Sequence, residues 1–126
     1  MEGDRVFVGT AAGVVHALSA DSGQVVWQTR LGALLTAGMA LAPQALVAGS
    51  VDHHVYALDP DSGELLWRFE AGGVVRGTPA VTARTVYCGS SDGYLYALKN
   101  ETGELLWKYR MDGPVLASMA LGAFAA

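Results

Sequence analysis

The stretch Gly49-Ser-Val-Asp-His-His-Val-Tyr-Ala-Leu-Asp-Pro-Asp-Ser-Gly-Glu-Leu-Leu-Trp67 decides the fold, because the chain contains a version of it three times. A shift of 40 residues forward gives the stretch 89–107, and the same shift backward gives 9–27, with no insertion or deletion. A fixed period of this length is typical of repeat architectures, in which each unit buries its apolar face against its neighbours. We therefore interpret the 126 residues as one domain of three repeats, approximately 1–33, 34–73 and 74–112, with a terminal segment 114–121.

Short strands joined by turns fill each repeat. In the third repeat, four segments rich in β-branched and aromatic residues are predicted as strands: 76–81, 85–90, 94–98 and 105–110. Pro79 suits an edge strand, and Asp92-Gly93 favours a tight hairpin. Four strands per repeat predict an all-β chain of β-propeller blades, each a four-stranded antiparallel meander, with about three blades per chain. The alternative, a helical solenoid, does not fit the β-branched runs.

The phase of the repeats leaves the first blade one strand short. Residues 5–10 align with the second strand of the third repeat, whereas the terminal residues 114–121 align with its innermost strand. We expect the C-terminal strand to complete a first blade, in the manner by which propellers close. Three blades do not close a ring, since propellers have about 4–8 blades. Either a second copy supplies the missing blades, with a six-bladed dimer favoured, or the residues belong to a longer propeller.

Composition and charge exclude several classes of function. Apolar residues make up 52% of the chain and charged residues 16%, which indicates a buried core. A net charge of −4 without a basic cluster argues against nucleic-acid binding. The longest apolar stretch, 31–42, is too short for membrane insertion. The start lacks the pattern of a signal peptide, which predicts a cytoplasmic protein; a periplasmic or other extracytoplasmic location stays open if the chain is a fragment.

The repeated residues resemble the tryptophan-docking motif of the quinoprotein (PQQ-type) β-propeller family, which runs Ala, Asp, Thr-Gly, Trp at fixed offsets. The matching alanines, glycines and tryptophans are Ala17, Gly23 and Trp27, then Ala57, Gly63 and Trp67, then Ala97, Gly103 and Trp107. The Asp of the motif is kept only as Asp59, and its Thr only as Thr102. A WD-type propeller is less favoured, because no Trp is followed by Asp. The near-identity of 63–67 and 103–107 fits recent duplication or design equally well.

The resemblance implies that each motif tryptophan docks on the motif glycine of the next blade. The implied pairs are Trp27 with Gly63 and Trp67 with Gly103. A residue without a side chain is needed there because an indole must lie flat on the backbone. Trp107 then has no following glycine and Gly23 has no preceding tryptophan, so these two residues can satisfy each other across a dimer.

The family contains quinoprotein dehydrogenases, which hold PQQ and calcium over the central channel, and non-catalytic propellers that act as protein-interaction scaffolds. The predicted inner strands carry no carboxylate and the chain has a single cysteine, Cys88, so we expect no cofactor, metal or catalytic residue. We favour a non-catalytic scaffold that assembles with itself or with further blades. The alternative is a fragment of a PQQ- and calcium-dependent dehydrogenase, for which PQQ and calcium would be the cofactors.

Individual polar residues give weaker signals. Arg76 is the one charge on a predicted channel-lining strand, and is a weak candidate for ligand binding; the other interpretation is an ion pair at a turn. His53 and His54 are adjacent, and neighbouring residues of a strand point to opposite faces, so they are not expected to bind one metal ion. Cys88 and His16 occupy positions that predict packing roles.

Overall fold

Three antiparallel sheets, one per repeat, make up the computed structural model, which describes residues 4–31 and 38–115. The strands in these residues are β1 (Arg5–Gly9), β2 (Val14–Ser19), β3 (Val25–Arg30), β4 (Ala40–Leu41), β5 (Leu46–Gly49), β6 (His54–Leu58), β7 (Leu65–Glu70), β8 (Val75–Val81), β9 (Thr85–Ser90), β10 (Tyr94–Lys99) and β11 (Leu105–Arg110). We name the sheets blade 1 (β1–β3), blade 2 (β4–β7) and blade 3 (β8–β11). In each blade, strands adjacent in sequence are hydrogen-bonded neighbours, which confirms the predicted all-β propeller blades.

Blade 1 has three strands in the described part of the chain, whereas blades 2 and 3 have four. The predicted inner strand of blade 2 is represented by the two residues of β4. The predicted C-terminal strand, 114–121, lies outside the described residues except for Pro114 and Val115.

The inner strand of blade 3 is irregular because of its sequence. Its pairing with β9 is interrupted between Arg76 and Ala80, where Gly77 takes a φ of 77° and Pro79 has no N–H to donate. β8 lies at the edge of its sheet, where such an interruption is tolerated. Arg76 is exposed at the start of this strand.

The apolar core lies between blades. One cluster joins blades 2 and 3 and contains Val47, Val55, Trp67, Val86, Cys88 and Leu98, each at most 7% exposed. A second cluster joins blades 1 and 2 through Val15, Leu46 and Leu58, with Phe7 and Trp27 packed against it. Burial of each such aliphatic side chain stabilises the fold by about 1.5–3 kcal/mol. A blade with no neighbour on one side therefore leaves the apolar residues of that side exposed, as Val6 and Val8 of blade 1 are.

One hairpin in each blade depends on a residue with left-handed backbone. These are the β1–β2 hairpin of blade 1, the β5–β6 hairpin of blade 2 and the β9–β10 hairpin of blade 3. Gly13 and Gly93 take φ values of 80° and 87° in the turns of blades 1 and 3. His53 occupies the same position in blade 2 with a φ of 74°, which is unfavourable for a residue with a Cβ. His53 thus lies in the turn, and only His54 belongs to a strand.

Candidate functional site

The first inter-blade contact joins Trp27 of blade 1 to Gly63 of blade 2. A Cβ added to Gly63 would lie 2.5 Å from Cε3 of Trp27, and Gly63 has a φ of +78°. The indole Nε1 donates a hydrogen bond to the carbonyl oxygen of Pro60 at 2.9 Å, and the Thr29 hydroxyl donates one to the carbonyl of Gly63 at 2.6 Å. Glycine is required here for two reasons: the backbone is left-handed and the ring lies on it.

The second contact repeats the first between blades 2 and 3. The ring of Trp67 lies against Gly103, whose φ is +75°. Its Nε1 donates to the carbonyl oxygen of Asn100 at 2.8 Å, and the side chain is only 7% exposed. A buried indole with a satisfied N–H is a strong anchor between two blades.

The alanine of each repeat makes room for the ring within its own blade. Ala17, Ala57 and Ala97 are all 0% exposed and lie directly across the sheet from the tryptophans of their blades. Each alanine is followed by an irregularity in strand register. A larger side chain opposite the indole would compete for its space, which explains why Ala recurs at this position.

The turn before each docking glycine is held by backbone atoms. The glycine N–H donates to the carbonyl oxygen of residue 19, 59 or 99, which are Ser, Asp and Lys. Only Asp59 adds a carboxylate contact, accepting the N–H of Asp61 at 2.8 Å. The Asp of the motif is therefore replaceable because the bond that closes the turn does not need its side chain.

The third tryptophan and the first glycine have no such neighbour among residues 4–31 and 38–115. Trp107 is 47% exposed and Tyr109, on the same strand, is 63% exposed. Gly23 takes the docking conformation, with a φ of +75°, yet a Cβ built on it meets nothing within 4 Å. Within the described residues, one motif ring is thus about half exposed and one motif glycine has no ring against it.

Apolar side chains surround both of these positions. Val6 and Val8 of β1 are 49% and 41% exposed, whereas their counterparts in blade 3, Val86 and Cys88, are 0% and 1% exposed. We define the leading face as Val6, Val8, His16 and Gly23 of blade 1, and the trailing face as Tyr87, Trp107 and Tyr109 of blade 3. The rings of Tyr87 and Trp107 are 6.0 Å apart on that face. The two faces are the halves of an inter-blade contact.

The chain leaves blade 3 on the route by which it leaves blade 2. Val75, the first residue of β8, packs on Gly49 and donates its N–H to the carbonyl of Ser50 at 3.3 Å. Val115 packs in the same way on Gly89 and donates to Ser90 at 3.0 Å. Val115 therefore occupies the position from which an inner strand of a next blade begins.

A polar cluster at the hairpin of each complete blade was missed by reasoning from the sequence. The Tyr56 hydroxyl donates a hydrogen bond to the Asp52 carboxylate, and the Tyr96 hydroxyl donates one to the Asp92 carboxylate. Partial burial raises the pKa of Asp92, but hydrogen bonds from Tyr96 and from the N–H of Tyr94 outweigh it and hold that pKa below 3.8. Burial and the Asp52 carboxylate raise the pKa of Tyr56 to about 12. The available signal was that Asp and Tyr occur together, four residues apart, in repeats 2 and 3 only.

The other candidate residues do not form a site in residues 4–31 and 38–115. No three His, Cys, Asp or Glu side chains in these ranges lie close enough to hold a metal ion. Nδ1 of His54 lies 3.4 Å from Oδ1 of Asp52, which pairs the imidazole with a single carboxylate. Cys88 is buried, and this burial raises the pKa of its thiol to about 12, so the thiol stays protonated and unreactive. Nor does this part of the chain form a helix long and apolar enough to cross a membrane.

Comparison with known proteins assigns the architecture. The sequence profile described as outer membrane protein assembly factor BamB matches residues 11–125. A search of the curated proteins found no match. BamB from Moraxella catarrhalis is similar in structure, with a TM-score of 0.79 and 27% identity over 86% of this chain and 34% of that chain. The chain thus spans about a third of the length of that protein.

Two further structures share the fold. The computationally designed Ika4 protein has a TM-score of 0.81 and 22% identity, over 93% of this chain and 74% of that chain. The quinohemoprotein alcohol dehydrogenase from Comamonas testosteroni has a TM-score of 0.73 and 23% identity, over 84% of this chain and 19% of that chain. Identities this low carry the fold and say nothing about activity.

Proposed function

We propose that this chain, which belongs to the PQQ-type propeller family described as outer membrane protein assembly factor BamB, is a non-catalytic interaction scaffold, and that two copies close one six-bladed ring. One observation carries the proposal. The docking pair is closed between blades 1 and 2 and between blades 2 and 3, but in the described part of the chain Trp107 on the outer side of blade 3 is 47% exposed and Gly23 on the outer side of blade 1 has no ring against it.

The two ends are complementary. The trailing face presents a ring and the leading face presents the glycine and the valines that receive one in the internal contacts. If the trailing face of each copy packs on the leading face of the other, two identical contacts are related by a two-fold axis and no face stays open. A third copy would give nine blades, above the range of about 4–8 found in propellers. Two copies of this three-bladed chain therefore give a ring of about six blades, within that range.

The oligomeric state tests the ring. Sedimentation equilibrium of the wild-type chain is expected to give twice the 13.1 kDa chain mass, and Trp107→Ala is expected to give folded monomers. The matched control is Leu106→Ala. Leu106 is 50% exposed, and its counterpart Leu66 stays 47% exposed although blade 2 has neighbours on both sides, so this position lies outside inter-blade contacts. A folded, monomeric wild-type chain would overturn the proposal.

The scaffold role rests on the family. The description of its profile as an assembly factor for outer membrane proteins supports a function through contact with other proteins. We expect the closed ring, and not the Trp107→Ala monomer, to bind an unfolded outer membrane protein in co-sedimentation. Equal binding by both forms would show that ring closure is irrelevant to partner binding.

The alternative is a fragment of a PQQ- and calcium-dependent dehydrogenase. Calcium takes about 6–8 oxygen ligands, with carboxylates prominent, but β8 offers Arg76 and Thr78 and no carboxylate. This strand therefore does not supply the carboxylates that such a site needs, which supports the scaffold. Addition of PQQ and calcium to the wild-type chain, followed by visible absorbance and thermal unfolding, tests this alternative. The scaffold predicts no change in either measurement, and a saturable change would favour the dehydrogenase fragment.

A further inference from the structure

The linker between blades 2 and 3 rests on the hairpin of blade 3. Gly72, in this linker, donates its N–H to the hydroxyl oxygen of Tyr96 at 3.2 Å. A Cβ added to Gly72 would lie 2.5 Å from Oδ2 of Asp92. Asp92 in turn accepts the hydroxyl of Tyr96. We name these three positions a junction: one linker residue, one turn residue and one strand residue.

The sequence contains three junctions when the repeats are read as a closed ring. The linker, turn and strand residues are Gly32, Asp52 and Tyr56 at the first, Gly72, Asp92 and Tyr96 at the second, and Asp112, Ala12 and His16 at the third. Gly32 is assigned by its place in the repeat alone. All three residues change together at the third junction, although residue 112 is about a hundred positions from residues 12 and 16. Those three meet only where blade 3 of one copy adjoins blade 1 of another.

The three changes compensate one another physically. An Asp in the linker is unfavourable beside an Asp in the turn, because a Cβ there would displace the turn carboxylate and a second charge would repel it. Ala12 removes that carboxylate and leaves its space open. His16 replaces the tyrosine hydroxyl with a ring N–H, which can donate to a carboxylate arriving from the linker. Ala12 and Asp112 are exposed and His16 is half-buried, so all three are accessible in a single chain.

We infer that, in the ring proposed above, Asp112 of one copy places its carboxylate beside Ala12 of the second copy and accepts a hydrogen bond from the imidazole of His16. This inference rests on the proposed dimer. It also explains why the blade that packs on the leading face comes from a second copy of this chain. The occupant of the leading face is a second copy of this chain, since blade 3 carries the linker residue that the Ala12 and His16 turn accommodates. A foreign blade with the usual glycine linker would leave the space beside Ala12 unfilled.

The test is a rescue of dimerisation measured by sedimentation velocity. Ala12→Asp is expected to weaken the dimer Kd about tenfold or more, because two carboxylates then share one space. Asp112→Gly in the same chain is expected to restore the wild-type Kd, since the pair then matches Gly72 and Asp92. The matched control is Ala11→Asp, which adds the same charge to the same turn one residue away and is expected to change the Kd about twofold or less. Circular dichroism shows that each variant is folded.

The possible outcomes distinguish failure of the junction pairing from failure of the proposed ring. If the wild-type chain is a folded monomer, both proposals are wrong. If it dimerises but Ala12→Asp and Ala11→Asp weaken it equally, or Asp112→Gly fails to rescue Ala12→Asp, the junction pairing is wrong and the ring stands. An intramolecular measurement needs no association: Gly72→Asp is expected to lower the urea midpoint, and adding Asp92→Ala and Tyr96→His is expected to recover it. Failure of that recovery would also overturn the pairing.

Discussion

Trp67 and Trp107 belong to the same motif in the same chain and differ in what lies next to them. Trp67 has blade 3 beside it and is 7% exposed, whereas Trp107 ends the described blades and is 47% exposed. The strands that carry them have the same length and the same pairing with their neighbours. The motif therefore fixes the position of the ring on its blade, and the neighbouring blade fixes whether the ring is buried.

The largest expected effect is the difference in stability between truncating the Trp67 ring and truncating the Trp107 ring. Trp67→Ala should lower the free energy of unfolding by about 3–5 kcal/mol, because a buried indole is replaced by a cavity. Trp107→Ala should cost far less in dilute samples, and its cost should rise with protein concentration as the dimer forms. Urea unfolding at two concentrations measures both. Equal, concentration-independent costs would show that the two environments do not differ.

A second comparison uses the receiving glycines. Gly63 and Gly23 share left-handed backbone, with φ values of +78° and +75°, but only Gly63 has a ring against it. Gly63→Ala should therefore cost about 1–3 kcal/mol more than Gly23→Ala, because the added methyl overpacks the contact while the backbone strain is shared. Urea unfolding of dilute samples measures the difference. Equal costs would indicate that strain alone requires glycine at these positions.

A smaller effect distinguishes the hairpin of blade 3 from that of blade 1, where Ala12 and His16 replace Asp92 and Tyr96. Tyr96→Phe removes the donor to Asp92 and should cost about 1 kcal/mol at neutral pH. The folded state lowers the pKa of Asp92 from its ordinary value. Between the folded and the unfolded pKa, the unfolded state therefore binds more protons than the folded state. The stabilisation is thus fully present well above the ordinary carboxyl pKa and is lost as pH falls through the lower pKa of the folded state.

Urea unfolding between pH 2 and pH 7, as an approximate range around the ordinary carboxyl pKa, measures this dependence. The difference between wild type and Tyr96→Phe should shrink as pH falls. Tyr94→Phe is the matched control, because it removes a neighbouring hydroxyl but leaves the Tyr96 bond to Asp92 in place. A constant difference across the range would show that the carboxylate is not stabilised by Tyr96.

The smallest effect concerns the turn residues His53 and Gly93, which share left-handed backbone. His53→Gly should raise the free energy of unfolding by up to about 1 kcal/mol, because glycine takes this conformation without strain. The reverse change, Gly93→Ala, should lower it by a similar amount. Thermal unfolding measures both, and destabilisation by His53→Gly would mean that the imidazole contributes a contact worth more than the strain.

Most of the blade structure was predictable from local patterns. The bounds predicted for the last two segments of the third repeat, 94–98 and 105–110, differ from those of β10 and β11 by at most one residue, since β-branched runs between turn residues mark strands directly. The Asp–Tyr bonds were not predicted, because residues 92 and 96 belong to a turn and a strand whose side chains meet only after the hairpin forms. A packing role was predicted for Cys88, which is buried, but the exposure of Val8 was not predicted, although the two positions are equivalent in the repeat.

Periodicity alone predicted three repeats, their phase and the residues of the docking motif, because these depend on spacing along the chain. The tertiary structure decided which copies of the motif are closed and which are open, and it brought linker, turn and strand into one junction. Burial and hydrogen bonding depend on atoms that are distant in sequence, and equivalent residues differ in both when their neighbours differ.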